Sequence, residues 1–120
     1  MQVISILFLF DFPEFIPEIQ KWTKSKKEWK RRVYAVIFIY SARKNRYLED
    51  VLKIAKSLFL DEEDLVQKAY GWMLKEASNF NQKEIFDFVM KHKYTMPRTA
   101  LRYAIEKIPA NLKKQAMQKE

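Results

Sequence analysis

One glycine, Gly71, serves the whole of a 120-residue chain. Tight hairpin turns draw on glycine and asparagine because their central residues take positive φ. A chain with one glycine and four prolines has little of that punctuation, so a meander of short strands is excluded. Its long apolar stretches repeat at helical spacing and are rich in Lys, Glu, Leu and Ala. The fold class read from these features is all-α. The length suits one compact domain, taken as residues 1–120.

Pro13 and Pro17 punctuate the start, and a short helix is expected from Glu14 to Thr23. The segment "KSKKEWKRRVYAVIFIYSARK" follows, and after its polar first turn it becomes apolar on every side, which predicts the most buried helix of the chain. Next, "YLEDVLKIAKSLFL" reads as amphipathic, with Leu48, Val51, Leu52, Ala55 and Leu58 inside. Asp61 is expected to cap the following helix, with Asp64 as the acidic residue three positions on. In that helix Val66, Ala69, Tyr70, Met73, Leu74 and Ala77 share one broad face. "QKEIFDFVMKHK" presents Ile85, Phe86, Phe88 and Val89. Pro97 suits the first turn of "RTALRYAIEKI", Pro109 ends it, and residues 110–120 are expected to fray.

Taken two at a time, these helices form antiparallel pairs over Glu14–Lys44, Tyr47–Ala77 and Gln82–Ile108. Short connections and a repeated helix–turn–helix grammar predict a HEAT-like α-solenoid. The second helix of each pair in such an array lines the inner wall. That wall would carry Arg31 and Arg32, then Lys68, Trp72 and Lys75, then Arg98 and Arg102.

The formal net charge is +8, which favours a polyanionic partner. Basic residues spread over several helices, not along one amphipathic stripe, point to nucleic acid and away from a membrane surface. Thiolate chemistry and disulfides are ruled out by the lack of cysteine, and a reducing cytoplasm is the expected location. With His92 as the single histidine, no metal site or cofactor is expected. His92 itself reads as a helix C-terminal residue favoured by the helix dipole. The opening "MQVISILFLF" is too short to span a bilayer and lacks a signal peptide's basic start. It reads as a buried helix, or the end of one, and as a surface for a missing N-terminal half, another partner chain or self-association.

Trp72 is the odd residue. It projects opposite the apolar face of its helix, in a column with Lys68, Lys75 and Asn79. An aromatic among cations offers stacking and CH–π or cation–π contact to a ligand. It also fits an indole packed on a neighbouring helix with lysines extending past it, and spacing leaves both open. Trp29 shares a side with Val33, Val36 and Tyr40 and reads as core. Arg31 and Arg32 enter an apolar helix, so at least one needs a carboxylate or phosphate partner. Arg98 and Arg102 fit either a solvated face with Glu106 or a DNA contact. The run Asp61, Glu62, Glu63, Asp64 is helix N-terminal charge and not a metal or acid–base site.

"VQKAYGWMLKEAS", preceded by "EWKRRVYAVIFIYSARK" and followed by "MPRTALRYAIEKIP", resembles the AlkD-like DNA alkylation repair family from about Trp22 to Pro109. The resemblance implies a HEAT-like repeat alkylpurine DNA glycosylase, which hydrolyses the N-glycosidic bond of N3- and N7-alkylated purines. It implies that Trp72 lines the cleft holding the lesion. Lys75 stands where the family has a backbone-contacting arginine, keeping the charge and losing the bidentate fork. The W-x-x-R element falls on Trp29 to Arg32. The family's catalytic aspartate, in a W-x-x-x-D element, has no counterpart here, and Asp11 lies outside that motif. The expectation is therefore a truncated, C-terminal part of such an enzyme, weakly active or inactive alone.

Overall fold

The computed structural model describes residues 21–43, 45 and 48–118. A 3-10 turn over Lys21–Lys24 precedes α1 (Glu28–Arg43), α2 (Leu48–Ser57), α3 (Asp64–Ala77), α4 (Gln82–His92), α5 (Arg98–Ala104) and α6 (Ala110–Met117). No strand occurs among the described residues, and the chain is all-α. Most of the expected first helix and all of the apolar N-terminal segment lie outside the described residues.

α3 packs most heavily on α1 and on α5. Arg31 near the start of α1 reaches Asp61 just before α3, and Arg43 at its end reaches Glu76 at the end of α3. Lys75 and Glu76 in turn meet Glu106 and Lys107, just past α5. The three helices therefore run the same way, side by side. Asn45, in the left-handed conformation at φ 55° in the turn after α1, accepts a hydrogen bond from Asn81 after α3 at 2.8 Å. Equivalent turns thus lie at one level, the arrangement of a solenoid-like helical stack in which α1, α3 and α5 are alternate helices.

The core explains the order. Ala35, Phe38, Ile39 and Ala42 of α1 are buried at i, i+3, i+4 and i+7 spacing. Val66, Ala69, Tyr70, Met73, Leu74 and Ala77 of α3 are all buried, as their common face predicts. Val51, Ile54 and Ala55 cover them from α2, Leu58 from the turn after it, and Ile85 and Val89 from α4. The central, most enclosed helix among the described residues is α3, not α1 as its apolar run predicts, because α3 lies between two neighbours.

Gly71 sits where α3 and α5 touch. A Cβ there would lie 2.7 Å from the Tyr103 Cβ and 2.9 Å from the Ala100 carbonyl oxygen. The residue is needed for close approach, not for a turn.

Three readings of the ends need correction. Residues 110–117 do not fray but form α6, with Ala116 buried and the Met117 carbonyl bound by Arg98 at 2.9 Å. Pro109, expected only as a stop, is also the N-cap of that helix. Glu63, not Asp61, is the N-cap of α3. Asp61 instead accepts the Glu63 N–H at 3.0 Å in a local turn while its other oxygen holds Arg31.

Candidate functional site

On α3 the side opposite the core carries Lys68, Trp72 and Lys75. Trp72 is 41% exposed, a high value for the largest side chain in a helix so enclosed elsewhere. It lines an open cleft of about 450 Å³ with Lys75, Arg102, Tyr103 and Glu106. The close approach at Gly71 is what brings Arg102 and Tyr103 of α5 alongside the indole.

The indole is held on several sides. Its Nε1–H donates to Glu76 Oε2 at 2.9 Å, one helical turn on. The Lys75 ammonium lies 5.2 Å from the ring centroid and the Arg43 guanidinium 5.9 Å, both within cation–π range. Lys75 also lies 6.0 Å from the Tyr103 ring and donates to Glu106 at 3.0 Å.

Glu76 is buried. Its Oε1 faces Arg43 at 3.5 Å, Lys107 at 3.7 Å and the Asn79 amide at 3.4 Å. Burial works to raise its carboxyl, but the Trp72 hydrogen bond and the charges of Lys107, Arg43 and Lys75 outweigh that and hold it below the ordinary glutamate range.

The other expected site residues divide. Lys68 stands on the cleft side of α3 and pairs with Asp64 at 2.9 Å, a hydrogen bond that raises its ammonium further. Arg102 lines the cleft. Arg31 takes the carboxylate partner its burial demands, pairing with Asp61 and donating to the Ser25 carbonyl at 2.8 Å. Arg32 has no ion-pair partner among the described residues and lies eleven positions before Arg43, about three helical turns along one side of α1. Arg98 is tied to α6.

Trp29 is not core. It is 49% exposed in the first turn of α1, with the Lys30 ammonium 5.7 Å from its ring. In a segment apolar all round, spacing groups residues by side without saying which side meets the core. That side is set by Ala35, Phe38, Ile39 and Ala42. His92 does end α4, yet its imidazole is pushed down, first by burial and then by Lys56 and Lys91. Its ring packs on Phe88 at 4.7 Å and Phe59 at 5.3 Å, which accounts for that burial.

Arg43, Glu76, Tyr103 and Lys107 join the site without having been singled out in the sequence, and Glu106, read there only as part of a solvated face, joins it through Lys75. A signal existed for Glu76, which follows Trp72 by four residues in a helix and so lies on the same side. None existed for Lys107, which arrives from a turn.

No group of three or more His, Asp or Glu among the described residues is arranged to hold a metal ion, and none of their helices is long and apolar enough to cross a membrane. A family model described as DNA alkylation repair enzyme matches residues 2–108. Comparison with curated proteins and with solved structures gave no match.

Proposed function

The chain belongs to the DNA alkylation repair enzyme family, and on that premise we propose that it grips the backbone of double-stranded DNA with the Trp72 cleft. The observation that carries this reading is the exposed indole of Trp72 framed by Lys75, Arg43 and Arg102. Cations supply sequence-independent attraction to phosphates, and the aromatic supplies a surface for a sugar or a base. Lys68 extends the contact along α3, and Arg32 extends it along α1. Arg31 and Arg98 contribute through the fold, because their guanidiniums are engaged within the protein. Such a protein acts in the compartment that holds the DNA, which we take to be the cytoplasm.

Family resemblance gives the chemistry as hydrolysis of the N-glycosidic bond of an N3- or N7-alkylated purine. The bond breaks as positive charge develops on the deoxyribose, and a nearby unpaired carboxylate is the strongest stabiliser of that charge. Glu76 stands four residues after a tryptophan, but its oxygens are occupied by Trp72, Arg43, Lys107 and Asn79. Glu106 is held by Lys75. Both carboxylates are thus already neutralised, which supports DNA binding with weak hydrolysis.

Titration of a DNA duplex across salt tests the binding. Neutralising about three or four phosphates gives a log–log slope near −3, and exchanging Lys68 and Lys75 together for glutamate reduces it by about 2. A flat slope, or affinity indifferent to that double exchange, sinks the reading. Release of N7-methylguanine from methylated DNA tests the chemistry. Slow release is expected, and release at the rate of an efficient glycosylase overturns the assignment of weak hydrolysis.

A further inference from the structure

We propose that Glu76 is the positioning residue of the cleft: it fixes the Trp72 indole and holds Arg43 and Lys107 where a phosphate can take them over. The proposal deepens the DNA-binding reading and rests on it for the identity of the ligand.

A surface indole has no need of a protein acceptor, since water serves its N–H. Trp72 is instead bonded to a buried carboxylate at 2.9 Å, and that bond removes the freedom of the ring to turn. The two oxygens of Glu76 divide the work. Oε2 takes the indole, and Oε1 faces Arg43 from α1 and Lys107 from beyond α5. One carboxylate therefore ties together the three parallel elements of the stack at the cleft.

Distances separate this cluster from an ordinary ion pair. Arg43 and Lys107 stand at 3.5 and 3.7 Å, beyond the 2.7–3.2 Å of a well-made N–H···O bond. Lys75 meets Glu106 at 3.0 Å. Both loosely held cations are close to half exposed, so a phosphate can engage them without stripping buried charge. With Lys75 acting on Glu76 while paired to Glu106, three positive charges face two negative, and an incoming phosphate balances the excess.

Simple electrostatics makes the opposite forecast. If Glu76 were only a negative charge in a basic wall, any neutral replacement would tighten DNA binding. A positioning role distinguishes the replacements. Glu76→Gln keeps an acceptor for the indole and removes the charge; Glu76→Ala removes both.

The test is the indole N–H resonance of Trp72, assigned by its loss in Trp72→Phe, followed with pH in the protein alone and then with an unmodified DNA duplex. In the native protein the resonance should titrate with a midpoint below the ordinary glutamate range. In Glu76→Gln it should stay near its neutral-pH position at every pH. In Glu76→Ala it should move to a solvated indole's position and exchange faster with water. Glu76→Ala should bind the duplex about tenfold more weakly than Glu76→Gln, the scale of one lost stacking platform. An indole resonance that neither titrates nor responds to either replacement overturns the proposal, as does equal tightening of DNA binding by both. Should the native protein not bind the duplex, the DNA reading fails and the resonance alone decides the role of Glu76. Should Glu76→Ala not fold, the pH behaviour of Glu76→Gln against the native protein decides it.

Discussion

Arg31 and Arg43 leave the same helix toward the same neighbour, and each meets a carboxylate there, yet the two pairs do different work. At the N-terminal end of the α1–α3 seam, Arg31 and Asp61 are 17% and 7% exposed, and Arg31 is further bound to the Ser25 carbonyl. At the C-terminal end Arg43 is 49% exposed, stands 3.5 Å from Glu76 and lies over the Trp72 ring. One guanidinium is a fastener with two of its nitrogens engaged. The other faces solvent with its charge only partly balanced. Residue type does not separate a structural arginine from a ligand-facing one; burial and the number of protein partners do.

The largest expected effect is at the fastened end. Arg31→Ala leaves the Asp61 carboxylate enclosed without its partner, and losing one member of a well-buried pair costs about 3–5 kcal/mol. Partial exposure of Arg31 moves the expectation to the low end, about 3 kcal/mol, read by denaturant unfolding. Arg43→Ala should change stability by less than about 1 kcal/mol, because Arg43 is half exposed and Glu76 keeps Lys107 and Trp72, and weaken DNA binding with a shallower salt slope. A reversal, with Arg43 the more costly to stability, breaks the comparison.

Gly71 carries the comparison to the second seam, α3 against α5. Alanine at an exposed helix position gains about 1 kcal/mol over glycine. Here the added methyl meets a Cβ and a backbone carbonyl closer than 3.0 Å, and neither yields as a flexible side chain would. Overpacking costs about 1–3 kcal/mol, and two contacts under 3.0 Å put it in the upper half of that range, so Gly71→Ala should be destabilising by about 1–2 kcal/mol net. Moving α5 away also takes Arg102 and Tyr103 from Trp72, so DNA affinity should fall beyond what the lost stability explains. Unchanged affinity would mean that the cleft does not depend on this contact.

Much of the fold was legible because each helix announces itself locally. The scarcity of glycine and the apolar spacing gave the all-α class and the α3 core face. The position of Trp72 opposite that face was legible for the same reason. The rest depends on what is distant in sequence. Nothing near Asp61 says that Arg31, thirty residues earlier, will use its carboxylate and leave the cap to Glu63. Nothing near Pro109 says that α4 and Arg98 will give a polar tail a surface to fold on. Trp29 lies outside the core, and an all-apolar run hides in the sequence which side is inside. The cleft's partners for Trp72 come from α1, α5 and the turn after α5, so only the stacking of helices assembles them.

Two acid-side steps distinguish the cleft from the aromatic cluster at the end of α4, and they are the smallest effects expected. His92, among Phe59 and Phe88, has its imidazole lowered in the folded protein. The unfolded chain therefore takes up a proton below about pH 6.5 that the folded protein refuses, and stability declines from there toward the folded value. Glu76 is lowered as a carboxyl. Its contribution is complete above about pH 4.3, the unfolded value, and is lost as pH falls through the lower folded one. Thermal unfolding across pH should show the first step disappear in His92→Gln and the second diminish in Glu76→Gln. The indole signal of Trp72 should follow only the second, because His92 lies in the α4 cluster and Glu76 bonds the ring. If Trp72 responds to the His92 step, the two regions are coupled, and the cleft cannot be treated as a unit independent of the core behind it.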